Sequence, residues 1–291
     1  MARGLNHVYL VGTLTQDPEM RYTPGGLAVL ELNLGGNDHV TDDTGNAREI
    51  AWYHRVKLLG KSAEFWGDSL KAGTALFVEG KLEYRAWEQD GQKKSAIDIK
   101  ADRIEVVSLE GKRGDLTVTD AKGQERLRDG LNHVMLAGNL TRDPELRYTP
   151  QGTAVTRLSM AVNERFTNKQ GTDQEKVHYV DAQAWRELAE WAGELKKGDG
   201  AFIIGRLVND SWTAQDGTRR YTTRVEISRL ERLTRGPGSG GAGSQTSPSG
   251  RGEHPNPNGG VTAAKAAPAR TGKVDIEEGL EDLPPEEDLP F

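Results

Sequence analysis

The 291-residue sequence predicts an all-β protein, two small β-barrels in tandem followed by a disordered C-terminal tail. Three observations predict it. Residues 4–37 begin GLNHVYLVGTLTQDPEMRYTPGG and residues 130–163 begin GLNHVMLAGNLTRDPELRYTPQG, with 21 of the 34 positions identical. Such repetition means two copies of one structural unit, here of roughly 105 residues. Within each copy, apolar residues recur mostly at every second position, the period of a strand. From about Gly236 the chain becomes GPGSGGAGSQTSPSGRGEHPNPNGG, a composition that cannot bury enough apolar surface to order itself.

In the first copy the period-two segments are 5–14, 27–34, 50–59, 75–87 and 95–107. Between the third and fourth lies KSAEFWGDSLKAG, where Ala63, Trp66 and Leu70 recur at helical spacing and Gly73 ends the helix. Asp90-Gly91 signals a hairpin turn between the last two strands, and Asp216-Gly217 repeats it. Residues 35–49 and 163–175 are polar and suit projecting loops. Three strands, a helix and two strands is the layout of the five-stranded OB barrel, a fold that often binds oligonucleotides on one face. Another small β-barrel is the alternative. The chain divides into OB domains at 1–110 and 130–235, a connector at 111–129, a linker at 236–274 and an acidic tail at 275–291.

With no cysteine, the chain has no disulfide scaffold, thiolate metal site or cysteine nucleophile, and it fits a reducing cytosol. No apolar run approaches the roughly 18 residues of a membrane helix. The opening MARGLNHV lacks the apolar core of a secretory signal, so a soluble, intracellular protein is expected. The net charge of −6 is unevenly spread: residues 236–291 carry 4 cations against 9 carboxylates, and residues 1–110 carry 13 against 17. Residues 111–129 and 130–235 come to +1 and +2. Phosphate binding would therefore need a local stripe of cations, not bulk charge.

Strand parity says where such a stripe could lie. Val180, Ala182 and Ala184 share one parity and belong in a core, which leaves Tyr179, Asp181, Gln183 and Trp185 on the polar side. In the first copy Trp52, His54, Val56 and Leu58 point inward, while Tyr53, Arg55, Lys57 and Leu59 point outward. In the fourth strand Lys81, Arg85 and Trp87 lie on the charged side, and Trp212 repeats Trp87 at the tip of the second hairpin. Rings on a polar face are poor core residues and good platforms for unpaired bases, each stacked base contributing roughly 1–3 kcal/mol whatever its identity. Cations beside them neutralise phosphates. The candidate cations are Arg55, Lys57, Lys61, Lys81, Arg85 and Arg206. Trp52, Trp66 and Trp191 fit packing better.

The six histidines form no metal-spaced pair, and no phosphate loop or nucleophile elbow is present. The repeated Asp17-Pro18-Glu19 and Asp143-Pro144-Glu145 fit turns better than a metal site. No catalytic residue, metal or cofactor is expected, so the chain is not read as an enzyme. Between Asp275 and Asp288 stand eight carboxylates and no cation, before the chain ends on Leu289-Pro290-Phe291. An exposed terminal Phe gains nothing unless a pocket receives it, which points to a recognition peptide.

The motifs RGLNHVYLVGTLTQDPEMRYTPGG, WYHRVKLLGKSAE, VEGKLEYRAW and DLPPEEDLPF together resemble the bacterial single-stranded DNA-binding proteins, in the subtype with two OB folds per chain. The resemblance spans both copies and the tail. It implies sequence-independent binding of single-stranded DNA that protects it during replication, recombination and repair, in the cytoplasm and nucleoid. Since the family assembles four OB folds, it also implies a homodimer. It implies four stacking positions per copy: Phe166, Tyr179, Trp185 and Trp212 in the second, but only Tyr53 and Trp87 in the first, where His39-Val40 and Leu59 replace the others. His54 matches a family position at a subunit contact. Residues Asp282, Leu283, Pro284, Pro285, Glu286, Glu287, Asp288, Leu289, Pro290 and Phe291 match the family's docking tip for replication, recombination and repair proteins. More rings and a balance of +2 against −4 predict tighter binding by the second copy. Stacking alone does not separate DNA from RNA, and a scaffold that works only through its tail is a further alternative.

Overall fold

Val8, Leu10 and Leu14 of β1 (Leu5–Leu14) face the first barrel's core together with Leu30, Leu32 and Leu34 of β3 (Ala28–Thr41) and Val56 and Leu58 of β4 (Ala47–Leu59). The computed structural model describes residues 4–41, 47–89, 92–167, 171–213 and 219–233, and their side chains except at 41, 48, 89, 92–94, 211–213 and 219–221. A short helix α1 (Lys61–Gly67) follows β4, and a long hairpin of β5 (Ala75–Gln89) and β6 (Gln92–Val106) completes the module. Strand β1 pairs with both β3 and β5, β3 with β4, β5 with β6, and β4 runs parallel to β6. That circuit closes a five-stranded OB barrel, in which no barrel strand is left as an open edge.

The second module repeats the circuit with β9 (Leu131–Leu140), β11 (Ala154–Thr167), β12 (Asp173–Trp185), α3 (Glu187–Gly193), β13 (Gly200–Thr213) and β14 (Arg219–Leu233). The expected order of three strands, helix and two strands therefore holds in both. Each module also has a short strand absent from the sequence reading, β2 (Glu19–Tyr22) and β10 (Glu145–Tyr148). The segments expected as loops at 35–49 and 163–175 are largely strand: β3 runs to Thr41 and β11 to Thr167, so each is a ribbon extending past its barrel. They are polar because the ribbons leave the barrel cores, their outer parts meeting water and their bases meeting the connector or the opposite barrel.

The connector is not a plain link. It forms a helical turn α2 (Arg113–Leu116) and a hairpin of β7 (Thr117–Thr119) and β8 (Glu125–Leu127), and β8 joins the first barrel beside β3.

Strand β1 also pairs antiparallel with β9, from Leu5↔Ala137 to Val11↔Leu131. Val8 opposes Val134, its own counterpart in the repeat, so an approximate twofold axis passes through that pair. Asn6 and Asn132 finish the job beside it. Each uses its side-chain amide as a substitute peptide group, Asn6 bonding Leu82 N–H and C=O at 2.9 and 2.7 Å, Asn132 bonding those of Leu207 at 2.9 Å each. Where β1 and β9 turn to each other, these two side chains satisfy the backbone of the strands they leave.

Candidate nucleic-acid interface

On the outside of the first barrel, Tyr53, Arg55 and Lys57 of β4 adjoin Arg85 and Trp87 of β5 across β6. Asp98 of β6 stitches this face together, taking Lys57 Nζ at 3.1 Å and Arg85 Nε at 3.3 Å. Arg55 is held by Glu31 at 3.0 Å. The Arg85 guanidinium lies 4.8 Å from the centroid of the Trp87 ring. Trp87 is part-exposed, and Lys61 opens α1 as an exposed residue. The rings and cations that parity placed outward thus lie on one side of this module, but Arg55, Lys57 and Arg85 each already have a carboxylate beside them, and Lys57 is buried, only 8% exposed.

The second barrel presents a different face. Tyr179 is 50% exposed and Phe166 41%, and Trp185 is part-exposed at the end of β12. Tyr84 of the first module meets Tyr179 edge-on, centroids 5.4 Å apart and planes at 82°, an arrangement favourable to aromatic pairs. The positions matching Arg55, Lys57 and Arg85 hold Asp181, Gln183 and Asp210. The positions matching the carboxylates Glu31 and Asp98 hold Arg157 and Arg224, so the charges of this face are exchanged between the modules, and Arg224 pairs with Asp210 as Arg85 does with Asp98. Trp212 pairs with Arg220 in the ladder, but its side chain lies outside the described residues. Residues 282–291 lie outside them too.

Lys81 and Arg206 belong to a different structure. Lys81 forms an ion pair with Glu164, and Arg206 with Asp38 at 3.2 Å and Glu226 at 2.7 Å. The pairs with Glu164 and Asp38 cross from one barrel to the other and are related by the twofold through Val8 and Val134. Burial pushes Glu164 upward, but its bonds from Lys81 and His178 outweigh that and hold it below the usual carboxylate range. Asp38 is raised by burial despite Arg206. Strand parity sent Lys81 outward correctly, but outward here means toward the second barrel.

His54 also lies at this junction, stacked on Trp52 at 5.2 Å, with the amide of Asn132 3.3 Å from Nε2 and that of Asn209 3.5 Å from Nδ1. Burial lowers its pKa to about 4. The subunit-contact position of the resemblance is thus filled by a contact between two halves of one chain.

What the sequence reading missed is the cover on Tyr53. Its hydroxyl donates to Asp120 Oδ2 at 2.8 Å, and the Arg126 guanidinium lies over the ring, 5.4 Å from its centroid, while also bonding the hydroxyl. Both residues come from the connector. A sequence signal existed at one position: Gly35 stands where the repeat has Ala161, and a Cβ there would press on Thr15, Arg126 and Tyr53, whereas Gly36 makes room for Trp52 of its own barrel.

Among all-β folds, a closed five-stranded Greek-key barrel carrying rings and cations on one face, present twice, defines the class of tandem OB-fold binding proteins. The chain belongs to the single-strand binding protein family, whose sequence profile matches residues 5–107 and 131–233. It is 59% identical over 291 residues to the single-stranded DNA-binding protein of Thermus aquaticus, covering all of both chains. Against the single-stranded DNA-binding protein of Deinococcus radiodurans the identity is 48% over 309 residues, again end to end. The crystal structure of the wild-type Thermus aquaticus protein superimposes with a TM-score of 0.65 at 54% identity, covering 82% of this chain and 98% of that one. This is a family of binding proteins, so the chain is not an enzyme. No helix among the described residues is long and apolar enough to cross a membrane.

Proposed function

We propose that this chain binds single-stranded DNA without sequence preference and protects it during replication, recombination and repair. The observation that carries this reading is Tyr179, a ring half open to water on the polar face of a closed OB barrel, with Trp185 at the same parity of β12 and the exposed Phe166 further out on the ribbon. Exposed rings gain little from water and much from an unpaired base. Arg55, Lys57, Lys61, Arg85 and Trp87 form the matching surface of the first module, with Trp212 assigned by its repeat position. Lys81 and Arg206 act on the strand only by holding the two surfaces in register. Relatives named for single-stranded DNA binding support the substrate class.

The wider reading follows the resemblance. Domains at 1–110 and 130–235 act as two binding modules, two chains bring four OB folds together, and the tip at 282–291 recruits replication, recombination and repair proteins. The place of action is the cytoplasmic nucleoid.

Titrating the full chain with thymidine oligomers, while following tryptophan fluorescence at several salt concentrations, tests the central claim. The expected result is saturable quenching with log affinity falling linearly against log salt, the signature of released counterions. Unchanged fluorescence and no complex by mass would overturn it. Competition by uridine oligomers at equal strength would make RNA the better reading.

A further inference from the structure

Resting on that reading and going past it, we propose that the connector hairpin is a built-in cap on the first module's stacking position, with Arg126 packed against the hydroxyl end of Tyr53, in the way of an unpaired base. A guanidinium is planar, cationic and well matched to an aromatic face, so it competes for the same surface a base would use. Arg126 is fixed there by Asn37 Oδ1 at 3.0 Å as well as by the Tyr53 hydroxyl. Asp120, from the turn of the same hairpin, accepts the hydroxyl's hydrogen bond at 2.8 Å.

The hairpin is moored at points that have nothing to do with Tyr53. Arg113 donates to the Gly73 carbonyl at 2.7 Å and to Glu125 at 2.6 Å. Thr13 Oγ1 donates to the Glu125 carbonyl at 2.8 Å, and Leu127 pairs with Gly36 of β3. The barrel is cut to receive it. A methyl group on Gly35 would stand 2.8 Å from Thr15 Cγ2, 3.0 Å from Arg126 Cγ and 3.4 Å from Tyr53 Cδ1, and the repeat, which carries Ala161 there, leaves Tyr179 half exposed.

The consequence is a division of labour between the modules. The second offers open rings, and the first has its one outward ring on β4 closed until the hairpin yields. A strand that covers the first module gains stacking on Tyr53 only by displacing Arg126.

Affinity of the full chain for a thymidine oligomer, measured for Tyr53→Ala, Tyr179→Ala, Arg126→Ala and the Arg126→Ala/Tyr53→Ala double variant, tests this. Tyr179→Ala is expected to weaken binding about tenfold and Tyr53→Ala only about twofold. Removing Arg126 should tighten binding about threefold and raise the cost of Tyr53→Ala to about tenfold. Equal losses for Tyr53→Ala and Tyr179→Ala would overturn the cap, and so would weaker binding by Arg126→Ala, which would make Arg126 a contact to the strand. If Arg126→Ala fails to fold, the two tyrosine variants decide the matter alone. A wild-type chain indifferent to thymidine oligomers would instead overturn the parent reading, and the cap with it.

Discussion

At His54 the imidazole is walled in by Trp52, Asn132 and Asn209, so its protonated form has lost its water and found no carboxylate in exchange. Its pKa falls to about 4, against about 6.5 in an unfolded chain. Between those values the unfolded chain takes up a proton the folded one refuses. Stability is therefore full above about pH 6.5 and falls by about 1.4 kcal/mol per pH unit from there down to about pH 4. Denaturant titrations at pH 7, 5.5 and 4.5 should show this slope, and His54→Gln should flatten it; a wild-type chain equally stable at all three would refute the argument. Residue identities and parity made His54 and Trp52 legible as inward residues. They could not show that Lys81 and Arg206 meet carboxylates of the opposite barrel, because parity gives a direction and not what stands there. The repeated Asp17 and Asp143 were legible as turn devices: each accepts a backbone N–H from the loop before the fourth barrel strand, at Ala72 and Lys197, 2.8 and 2.7 Å away.

Among the elements, the β5–β6 hairpin shows both the reach and the limit of a period-two reading. Leu76, Val78 and Leu82 keep one parity along β5 and are all buried. On β6 the parity breaks, with Ile99 and Ala101 buried and then Ile104, because Asp102 bulges out between the residues facing Glu79 and Gly80. The second module bulges at the matching place, with Ser228. The bulge drives the carbonyl of Lys100 toward Gly80 and that of Glu226 toward Gly205, where a Cβ would lie 2.2 and 2.1 Å from the oxygen. Gly80→Ala and Gly205→Ala should each cost about 2–3 kcal/mol, read as a lower urea midpoint at unchanged slope. A shift below about 0.5 kcal/mol would mean the bulge relaxes freely. The three-residue strands β7 and β8 and the four-residue β2 escaped the sequence because so few residues cannot establish a period. The five barrel strands of each module did not escape it, being long enough for the period to show on either side of a bulge.

For the whole molecule, the ladder of seven pairs between β1 and β9 makes the two barrels one continuous sheet, braced on either side by Lys81–Glu164 and Arg206–Asp38. Neither barrel can lose its first strand without stripping the other of a neighbour. Calorimetry of the full chain should accordingly show a single cooperative transition; two resolved peaks would mean the barrels melt independently. The axis through Val8 and Val134 carries one more implication. Identical subunits meeting about such an axis would have to share every substitution, since one gene would shape both sides. Written into a single polypeptide, the halves are free to differ. Gly35 can accommodate an arginine that Ala161 has no counterpart for, and Asp181 can stand where its twin is Arg55, without either choice being imposed on the opposite half. Fusion turns symmetry from a constraint into a starting point.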